Sequence, residues 1–115
     1  MKILIVDDEE LDLFINKKLL SLEFVTEGFT SHKDAVKWAG QNEFDVAVID
    51  YYLGPGVFAT DVLKGLISIK GLTFKSYVVS NYVDPKQLQE LKEAGFTDII
   101  YKPLTLELFK IKLNS

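Results

Sequence analysis

Five side chains with catalytic or metal-binding potential follow four short apolar runs of this sequence. They are Asp7 and Asp8 after the first run, Asp50 at the end of a later run, and Ser80 and Lys102 after two more. Clustered carboxylates raise one another's pKa unless a cation lies among them, and Mg²⁺ favours one or two carboxylates together with water and phosphate oxygens. A carboxylate nucleophile, a divalent metal, an ammonium group and a hydroxyl donor are the parts needed for phosphoryl transfer onto an aspartate.

Each of these residues alone has an ordinary structural explanation. Acidic pairs such as Asp7 and Asp8 favour helix starts, and a single Asp at a strand end is typical of turns. Ser80 alone fits a helix cap or a loop hydroxyl, and Lys102 alone fits a solvated charge. The occurrence of all of them at the ends of the first, third, fourth and fifth predicted strands is what favours a common site.

The elements that position these side chains are predicted from the alternation of apolar runs with stretches of helical period. We predict strands over 3–6, 24–30, 46–49, 77–79 and 97–101, and helices over 9–22, after Ser31, over 60–69, from Pro85 and over 104–113. Strands that are apolar throughout and alternate with helices predict a parallel sheet covered on both faces. Because sites in such sheets form beyond the carboxyl ends of the strands, we expect the five side chains to converge.

Two details of the helices are also predicted. In the first helix, Leu11, Phe14, Ile15 and Leu19 are expected to face the core, with Leu13 and Leu20 partly off that face and left as surplus apolar surface. Thr60 is expected to cap the third helix.

Composition excludes several classes of protein. A chain of 115 residues suits one domain, and the net charge of -4 argues against a nucleic acid as the main partner. The absence of Cys excludes disulfides, thiol nucleophiles and thiolate metal sites. The apolar run in "MKILIVDDEE" is too short for a signal peptide or a membrane span, so no membrane association and a cytoplasmic location are expected.

Four stretches carry a family resemblance: "ILIVDDEE", "VAVIDYYLGPG", "YVVSNY" and "IIYKPL". Over essentially the whole chain the sequence resembles the receiver domain of two-component response regulators. The resemblance implies an α/β, flavodoxin-like (βα)5 fold, a doubly wound five-stranded parallel sheet with strand order 2-1-3-4-5. It also implies one receiver domain over residues 1–115, with no output domain in this chain.

The same resemblance implies a role for each site residue. Asp50 is the expected phosphoacceptor, and Asp7 and Asp8 are expected to hold Mg²⁺ (or Mn²⁺) together with Asp50 and the backbone carbonyl of Tyr52. Ser80 takes the position of the switch hydroxyl, and Lys102 is expected to contact the phosphoryl group. A cis peptide bond is expected between Lys102 and Pro103.

Partners follow from the resemblance as well. The expected phosphodonor is a phosphohistidine on a sensor histidine kinase or a phosphotransfer domain, docking beside the first helix. The chain is expected to be a signalling module that catalyses only its own phosphorylation and dephosphorylation. Its expected downstream partner is a protein target or an output domain. A homodimer is expected to use the fourth helix, fifth strand and fifth helix, where charges are available at Lys92, Glu93, Asp98 and Lys110.

The chain departs from the common family pattern in three places. The loop after the third strand, with Gly54, Pro55 and Gly56, is one residue longer than usual. Ile99 stands where an aromatic switch residue is common, and we interpret it as a core residue. Asn81, Tyr52 and Tyr82 surround the expected site with bulky groups, which predicts a hindered hydrolytic water and slow dephosphorylation.

Three alternative functions remain open on the sequence. A degenerate receiver acting only as a protein-binding module needs no phosphoryl transfer. A small Mg²⁺-dependent aspartyl-phosphate hydrolase of the haloacid-dehalogenase type needs a second Asp two residues after the nucleophile, where this chain has Tyr52. A flavin or nucleotide site needs a phosphate-cradling loop after the first strand, whereas "DDEELD" is strongly acidic.

Overall fold

The computed structural model describes all 115 residues as five strands alternating with five helices. The elements are β1 (Lys2–Val6), α1 (Glu10–Leu20), β2 (Val25–Phe29), α2 (His32–Ala39), β3 (Val46–Asp50), α3 (Ala59–Lys70), β4 (Lys75–Ser80), α4 (Pro85–Ala94), β5 (Asp98–Tyr101) and α5 (Leu106–Leu113). All strands are parallel and lie in the order β2-β1-β3-β4-β5, as predicted. None of the helices is long and apolar enough to cross a lipid bilayer.

Two apolar cores cover the two faces of this sheet. Alternate residues of each strand point to opposite faces, so that Leu4 and Ile49 join a core of 17 buried residues while Ile5 and Val48 join a core of 10. The larger core lies under α2, α3 and α4 and the smaller one under α1 and α5. Strands buried on both faces explain the continuous apolar runs of the sequence.

The register of the strands brings their carboxyl ends to one edge. Val6 of β1 pairs with Ile49 of β3, Asp50 pairs with Val79 of β4, and Ser80 pairs with Tyr101 of β5. The residues that follow these positions therefore share the same edge of the sheet, which is the arrangement expected from the sequence.

The predicted starts of α2 and α4 are confirmed, and the predicted start of α3 is not. Ser31 caps α2 by accepting from the Asp34 amide, and α4 begins at Pro85 with Asp84 accepting from the Gln87 amide at 2.7 Å. The prediction that Thr60 caps α3 is wrong. This helix begins one residue earlier, at Ala59, and the Asp61 carboxylate accepts from the Phe58 amide at 2.9 Å.

The predicted core face of α1 is confirmed for Leu19, which packs against the smaller core, and is wrong for the other three residues. Leu20 is fully buried in the smaller core and Leu13 packs against it, whereas Leu11, Phe14 and Ile15 are 68%, 61% and 52% exposed. Helical spacing allows two apolar stripes on this helix, and only packing against the sheet selects between them. We call the exposed set, with Leu22 just beyond the helix, the α1 stripe: Leu11, Phe14, Ile15 and Leu22.

Space for the buried stripe comes from a glycine in the edge strand. A Cβ at Gly28 would lie 2.8 Å from Leu13 Cδ1, closer than two carbon atoms can approach. Gly28, which weakens the strand signal in the sequence, therefore lets α1 lie close to β2.

Candidate functional site

The carboxylates of Asp7, Asp8 and Asp50 meet at the carboxyl edge of the sheet. One oxygen from each lies within 4.8 Å of the corresponding oxygens of the other two. Asp7 and Asp50 are buried, whereas Asp8 is exposed. Asp7 is held by the Glu9 amide, which donates to its Oδ1 at 3.0 Å. The structure thus brings together the three acids predicted to converge.

Lys102 neutralises one member of this cluster. Its Nζ lies 2.8 Å from Asp50 Oδ1, and the Lys102 amide donates to the Ser80 carbonyl at 2.9 Å. The backbone bond fixes the residue at the end of β5, and the side chain then extends to the end of β3. The Lys102–Pro103 peptide bond is cis, as expected.

Burial and the contact between Asp50 and Lys102 shift the pKa values of three groups in the site. Burial raises the pKa of Asp7 to about 6, with Asp50 adding to the rise and the Glu9 hydrogen bond opposing it. Burial also raises the pKa of Asp50, although the Lys102 ammonium acts in the opposite direction. The pKa of Lys102 is raised, because the hydrogen bond and charge of Asp50 outweigh the lowering effect of its own burial.

Ser80 lies beside this pair with its hydroxyl engaged. The side chain is buried, and its hydroxyl donates to the Tyr82 carbonyl at 3.1 Å. Asp50, Ser80 and Lys102 line one cavity of about 230 Å³. The hydroxyl therefore lies near the Asp50 carboxylate while it is bonded to the backbone of the loop after β4.

The loop after β3 has a defined path. Val57 donates to the Gly54 carbonyl across a four-residue turn with Pro55 second and Gly56 third, at φ +74°, which is the pattern of a type II turn. Gly54 has φ +115°, and a Cβ there would lie 3.9 Å from Asp8 Oδ2. This loop therefore passes beside Asp8 of the acidic cluster.

The Tyr52 carbonyl is available in this loop. Tyr52 forms an isolated antiparallel bridge with Phe58, in which the hydrogen bonds run from Leu53 to the Val57 carbonyl and from Ala59 to the Tyr51 carbonyl. The Tyr52 carbonyl accepts none of these bonds. A free backbone oxygen two residues after Asp50 is the kind of ligand that a hard divalent cation accepts alongside carboxylates.

Bulky side chains surround the Asp50 cavity. Tyr52, Asn81 and Tyr82 all line it, and the two tyrosines are 50% and 72% exposed. Tyr52 is supported by the Phe58 ring, whose centroid lies 5.7 Å away. The crowding expected from the sequence is therefore present at the cavity mouth.

Two further residues define what lies around the site. Ile99 is 6% exposed and belongs to the larger core, which agrees with its interpretation as a core residue. Asp12, which the sequence analysis missed, contributes its negative charge to the raised pKa values of Asp7, Asp50 and Lys102. Its signal in the sequence is only that of an acidic residue in the first turn of a helix, which is common at helix N-termini.

The chain is similar to known proteins in both family and fold. A family model described as the response regulator receiver domain matches residues 3–114. A curated relative, a cyclic di-GMP phosphodiesterase of Thermotoga maritima, is 29% identical over 119 aligned positions, covering 99% of this chain and 30% of that protein. The chain thus spans less than a third of the length of this relative.

Two solved structures illustrate the likeness of fold. A CheY-like receiver domain protein from Methanospirillum hungatei has a TM-score of 0.84 at 25% identity, covering 98% of this chain and 93% of that one. The chemotaxis protein CheY4 of Vibrio cholerae has a TM-score of 0.84 at 23% identity, with coverage of 98% and 95%. Because the family model spans nearly the whole chain and the strand order is the one this fold requires, the chain belongs to the response regulator receiver domain family, a family of phosphorelay signalling modules.

Proposed function

We propose that this chain accepts a phosphoryl group on Asp50 from a phosphohistidine, in a reaction that depends on Mg²⁺ or Mn²⁺. The donor is a sensor histidine kinase or a histidine phosphotransfer domain, and a cytoplasmic location is part of the proposal. The observation that carries the proposal is the position of Asp50, at the end of β3, within 2.8 Å of Lys102 and in one carboxylate cluster with Asp7 and Asp8.

The chemistry assigns a separate task to each group. A carboxylate oxygen of Asp50 attacks phosphorus, the bond from phosphorus to the donor nitrogen breaks, and the electron pair stays on that nitrogen. Lys102 would hold a phosphoryl oxygen by its ammonium group, and Ser80 would donate a hydrogen bond to another. Positioning and charge stabilisation account for most of the catalysis of such transfers.

Asp7, Asp8, Asp50 and the Tyr52 carbonyl would hold the metal ion. A bound divalent cation supplies positive charge that neutralises the phosphoryl oxygens and the carboxylates. The residues fit that group because three carboxylates share one edge with a single ammonium, an arrangement that is electrostatically costly without a cation. Asp8 is the more accessible of the two acids after β1.

We infer that the switch acts through the loop after β4. The Ser80 hydroxyl bonds to the Tyr82 carbonyl, and this bond must break when the hydroxyl turns to a phosphoryl oxygen. The released segment leads directly into Asp84, which caps α4. With Ile99 in the core, the signal passes through the backbone of this loop and the exposed Tyr82 rather than through an aromatic side chain at position 99.

The output and input surfaces are parts of the same proposal. The α1 stripe offers an apolar surface for the phosphodonor protein, since it lies on the helix that begins at the site.

For a homodimer through α4, β5 and α5, two of the expected charges already have partners within the chain. Lys110 pairs with Glu23 at 2.9 Å, and Asp98 pairs with Lys112 at 3.0 Å.

The alternatives are weaker on specific grounds. A degenerate receiver retains its fold without its chemistry, whereas here the acidic cluster, the lysine and the hydroxyl are together. A hydrolase needs a second acid where Tyr52 stands. We assign the phosphodiesterase activity named for the Thermotoga relative to the remainder of that protein, because the matched region is 30% of its length.

The experiment is phosphorylation by a small donor, followed by intact mass measurement. Incubation with phosphoramidate or acetyl phosphate and Mg²⁺ should add one phosphoryl group to the protein. The addition should be absent with excess chelator and in Asp50→Ala, whose fold is checked by circular dichroism. A wild-type protein that gains no phosphoryl group under these conditions would favour the degenerate receiver.

A further inference from the structure

Phe58 occupies a position at which helix starts favour a polar side chain. It is the N-cap of α3, its backbone is extended, and its side chain makes no capping hydrogen bond. Ser, Thr, Asp and Asn are preferred at this position because their side-chain oxygens accept from the free amides of the first turn. The Phe58 ring has other partners instead, and they lie in the loop that follows Asp50.

The partners of this ring are the two tyrosines directly after Asp50. The centroid of the Phe58 ring lies 5.7 Å from that of Tyr51 and 5.7 Å from that of Tyr52, with interplanar angles of 60° and 66°. Edge-to-face pairs of this kind are favourable beyond the apolar area that they bury. Tyr51 packs against the larger core, and its amide donates to the Val79 carbonyl at 2.9 Å. Phe58 therefore links the exposed Tyr52 to a fixed part of the fold.

The backbone bridge between Tyr52 and Phe58 depends on this packing. Its two hydrogen bonds belong to the flanking residues, which makes Tyr52 and Phe58 a non-hydrogen-bonded antiparallel pair. The side chains of such a pair approach each other closely, and their contact is what stabilises the pairing. The bridge is isolated and closes a loop in which Gly54 and Gly56 both have positive φ. The conformation of the Tyr52 peptide is therefore sensitive to the presence of the ring.

Resting on the proposed function, we infer that Phe58 is a positioning residue for the metal site, because its ring holds the loop that carries the Tyr52 carbonyl. This carbonyl accepts no backbone hydrogen bond, so the protein fixes it only through the residues around it. Ligands that are fixed in advance bind more tightly than ligands that must be ordered on binding, since less conformational entropy is then lost. The affinity for a divalent cation should therefore depend on an aromatic ring at position 58, which is not itself a ligand.

The test is the affinity for Mn²⁺ in matched variants, measured from the electron paramagnetic resonance signal of free aqueous Mn²⁺. Phe58→Ala should bind Mn²⁺ about threefold to tenfold more weakly than wild type, which is the effect expected of losing one aromatic pair. Phe58→Ser should lose as much, although its hydroxyl restores a helix cap. Phe58→Tyr keeps the ring and should retain the wild-type affinity. Ile69→Ala, which removes an exposed apolar side chain near the other end of α3, should also retain it.

A double-mutant cycle shows whether the ring acts through Tyr52. In Tyr52→Ala the backbone carbonyl remains, but the ring against which Phe58 packs is gone. The fold-loss in Mn²⁺ affinity caused by Phe58→Ala should be clearly smaller in this background than in wild type, because the contact is already absent. Equal losses in the two backgrounds would overturn the inference.

The remaining outcomes separate this inference from the function on which it rests. Circular dichroism checks that each variant is folded, and Phe58→Leu, which keeps apolar volume without a ring, replaces Phe58→Ala if that variant is not. A Phe58→Ala affinity indistinguishable from wild type, or an equal loss in Phe58→Tyr or Ile69→Ala, overturns the positioning role. The proposed function then still stands if wild type gains one phosphoryl group with acetyl phosphate and Mn²⁺. A wild-type protein that binds no Mn²⁺ overturns the metal dependence and the positioning role together.

Discussion

At the scale of single residues, Asp7 is an acid whose burial is costly when the carboxyl group is charged. Its carboxyl group is 2% exposed, accepts one hydrogen bond from the Glu9 amide, and takes part in no ion pair. Its pKa of about 6 in the folded protein exceeds the ordinary value of 3.8. The folded state therefore binds a proton between these two pH values that the unfolded chain has released, and stability falls as pH rises through this window.

We expect Asp7→Asn to stabilise the metal-free protein at pH 7. Each unit of pKa difference corresponds to about 1.4 kcal/mol, so the free energy of unfolding in chelator should rise by about 1–3 kcal/mol. The gain should shrink towards pH 4, where the wild-type carboxyl is protonated in the folded state. Urea unfolding at both pH values measures it, and Glu90→Gln, at an exposed acid of α4, serves as the control. Equal stabilities of Asp7→Asn and wild type at pH 7 would contradict the argument.

The lifetime of the acylphosphate is the second prediction at this scale. Tyr52, Asn81 and Tyr82 line the cavity around Asp50 and restrict the approach of water to phosphorus. A variant with Ala at position 81 and Ser at positions 52 and 82 should lose its phosphoryl group several-fold faster than wild type. The decay of the phosphorylated mass after donor removal measures this rate, and indistinguishable lifetimes would refute the role of crowding.

The sequence was sufficient to locate the main site residues but not Asp12. Asp7, Asp8, Asp50, Ser80 and Lys102 follow apolar runs, and parallel strands bring such positions to a common edge whatever the detailed packing. Asp12 lies inside a helix, so its direction depends on how that helix is rotated against the sheet. That rotation is a property of tertiary packing, and the spacing of apolar residues left it undetermined.

At the scale of elements, α1 shows the same limit. Its two apolar stripes have equivalent helical periods, and the choice between them depends on the room that Gly28 leaves for Leu13 and on the pocket that receives Leu20.

The start of α3 was not predicted correctly for a related reason. Phe58 is a poor cap by residue type, and the side chain that stabilises the start belongs to Asp61, three residues further on.

Substitutions on the two stripes of α1 should differ sharply in their effect on stability. Leu20→Ala removes a fully buried side chain and should lower the free energy of unfolding by about 2–5 kcal/mol. Phe14→Ala and Ile15→Ala, on the exposed α1 stripe, should change it by less than about 0.5 kcal/mol. Chemical denaturation of the three variants measures the difference, and the reverse order would restore the core face expected from the sequence.

The loop between β4 and α4 gives the second prediction for an element. If the Ser80 hydroxyl releases the Tyr82 carbonyl on phosphorylation, the amide resonances of residues 81–84 and of the first turn of α4 should shift. In Ser80→Ala, Asp50 should still accept a phosphoryl group, but these shifts should be smaller. Two-dimensional NMR of both proteins, with and without phosphodonor, provides the comparison. Shifts of equal size in the two proteins would exclude the hydroxyl as the connection.

At the scale of the whole molecule, the two cores share one sheet. Each of β1, β3 and β4 contributes alternate residues to both, so neither core persists without the other. The radius of gyration of 12.7 Å is close to the value of about 13 Å expected for one compact domain of this length. The molecule should therefore unfold as one unit.

The single tryptophan allows this cooperativity to be tested. Trp38 packs between Phe29 and Phe44 beside the larger core, whereas Tyr77 and Phe109 lie in the smaller one. Urea transitions followed by Trp38 fluorescence and by far-ultraviolet circular dichroism should coincide in midpoint and slope. A fluorescence transition at clearly lower urea would show that the larger core melts separately.

The missing side chain at Gly28 has a consequence beyond the strand that contains it. Leu13 rests where a Cβ would stand, and the same helix carries Asp12 one residue earlier, whose negative charge acts on Asp7 and Asp50. Adding a single methyl group at position 28 would press on Leu13 from the far margin of the sheet and alter the tilt of the helix that bears this charge. The electrostatic environment of Asp50 is then adjustable from a position outside the site, which gives evolution or an engineer a remote means of tuning it.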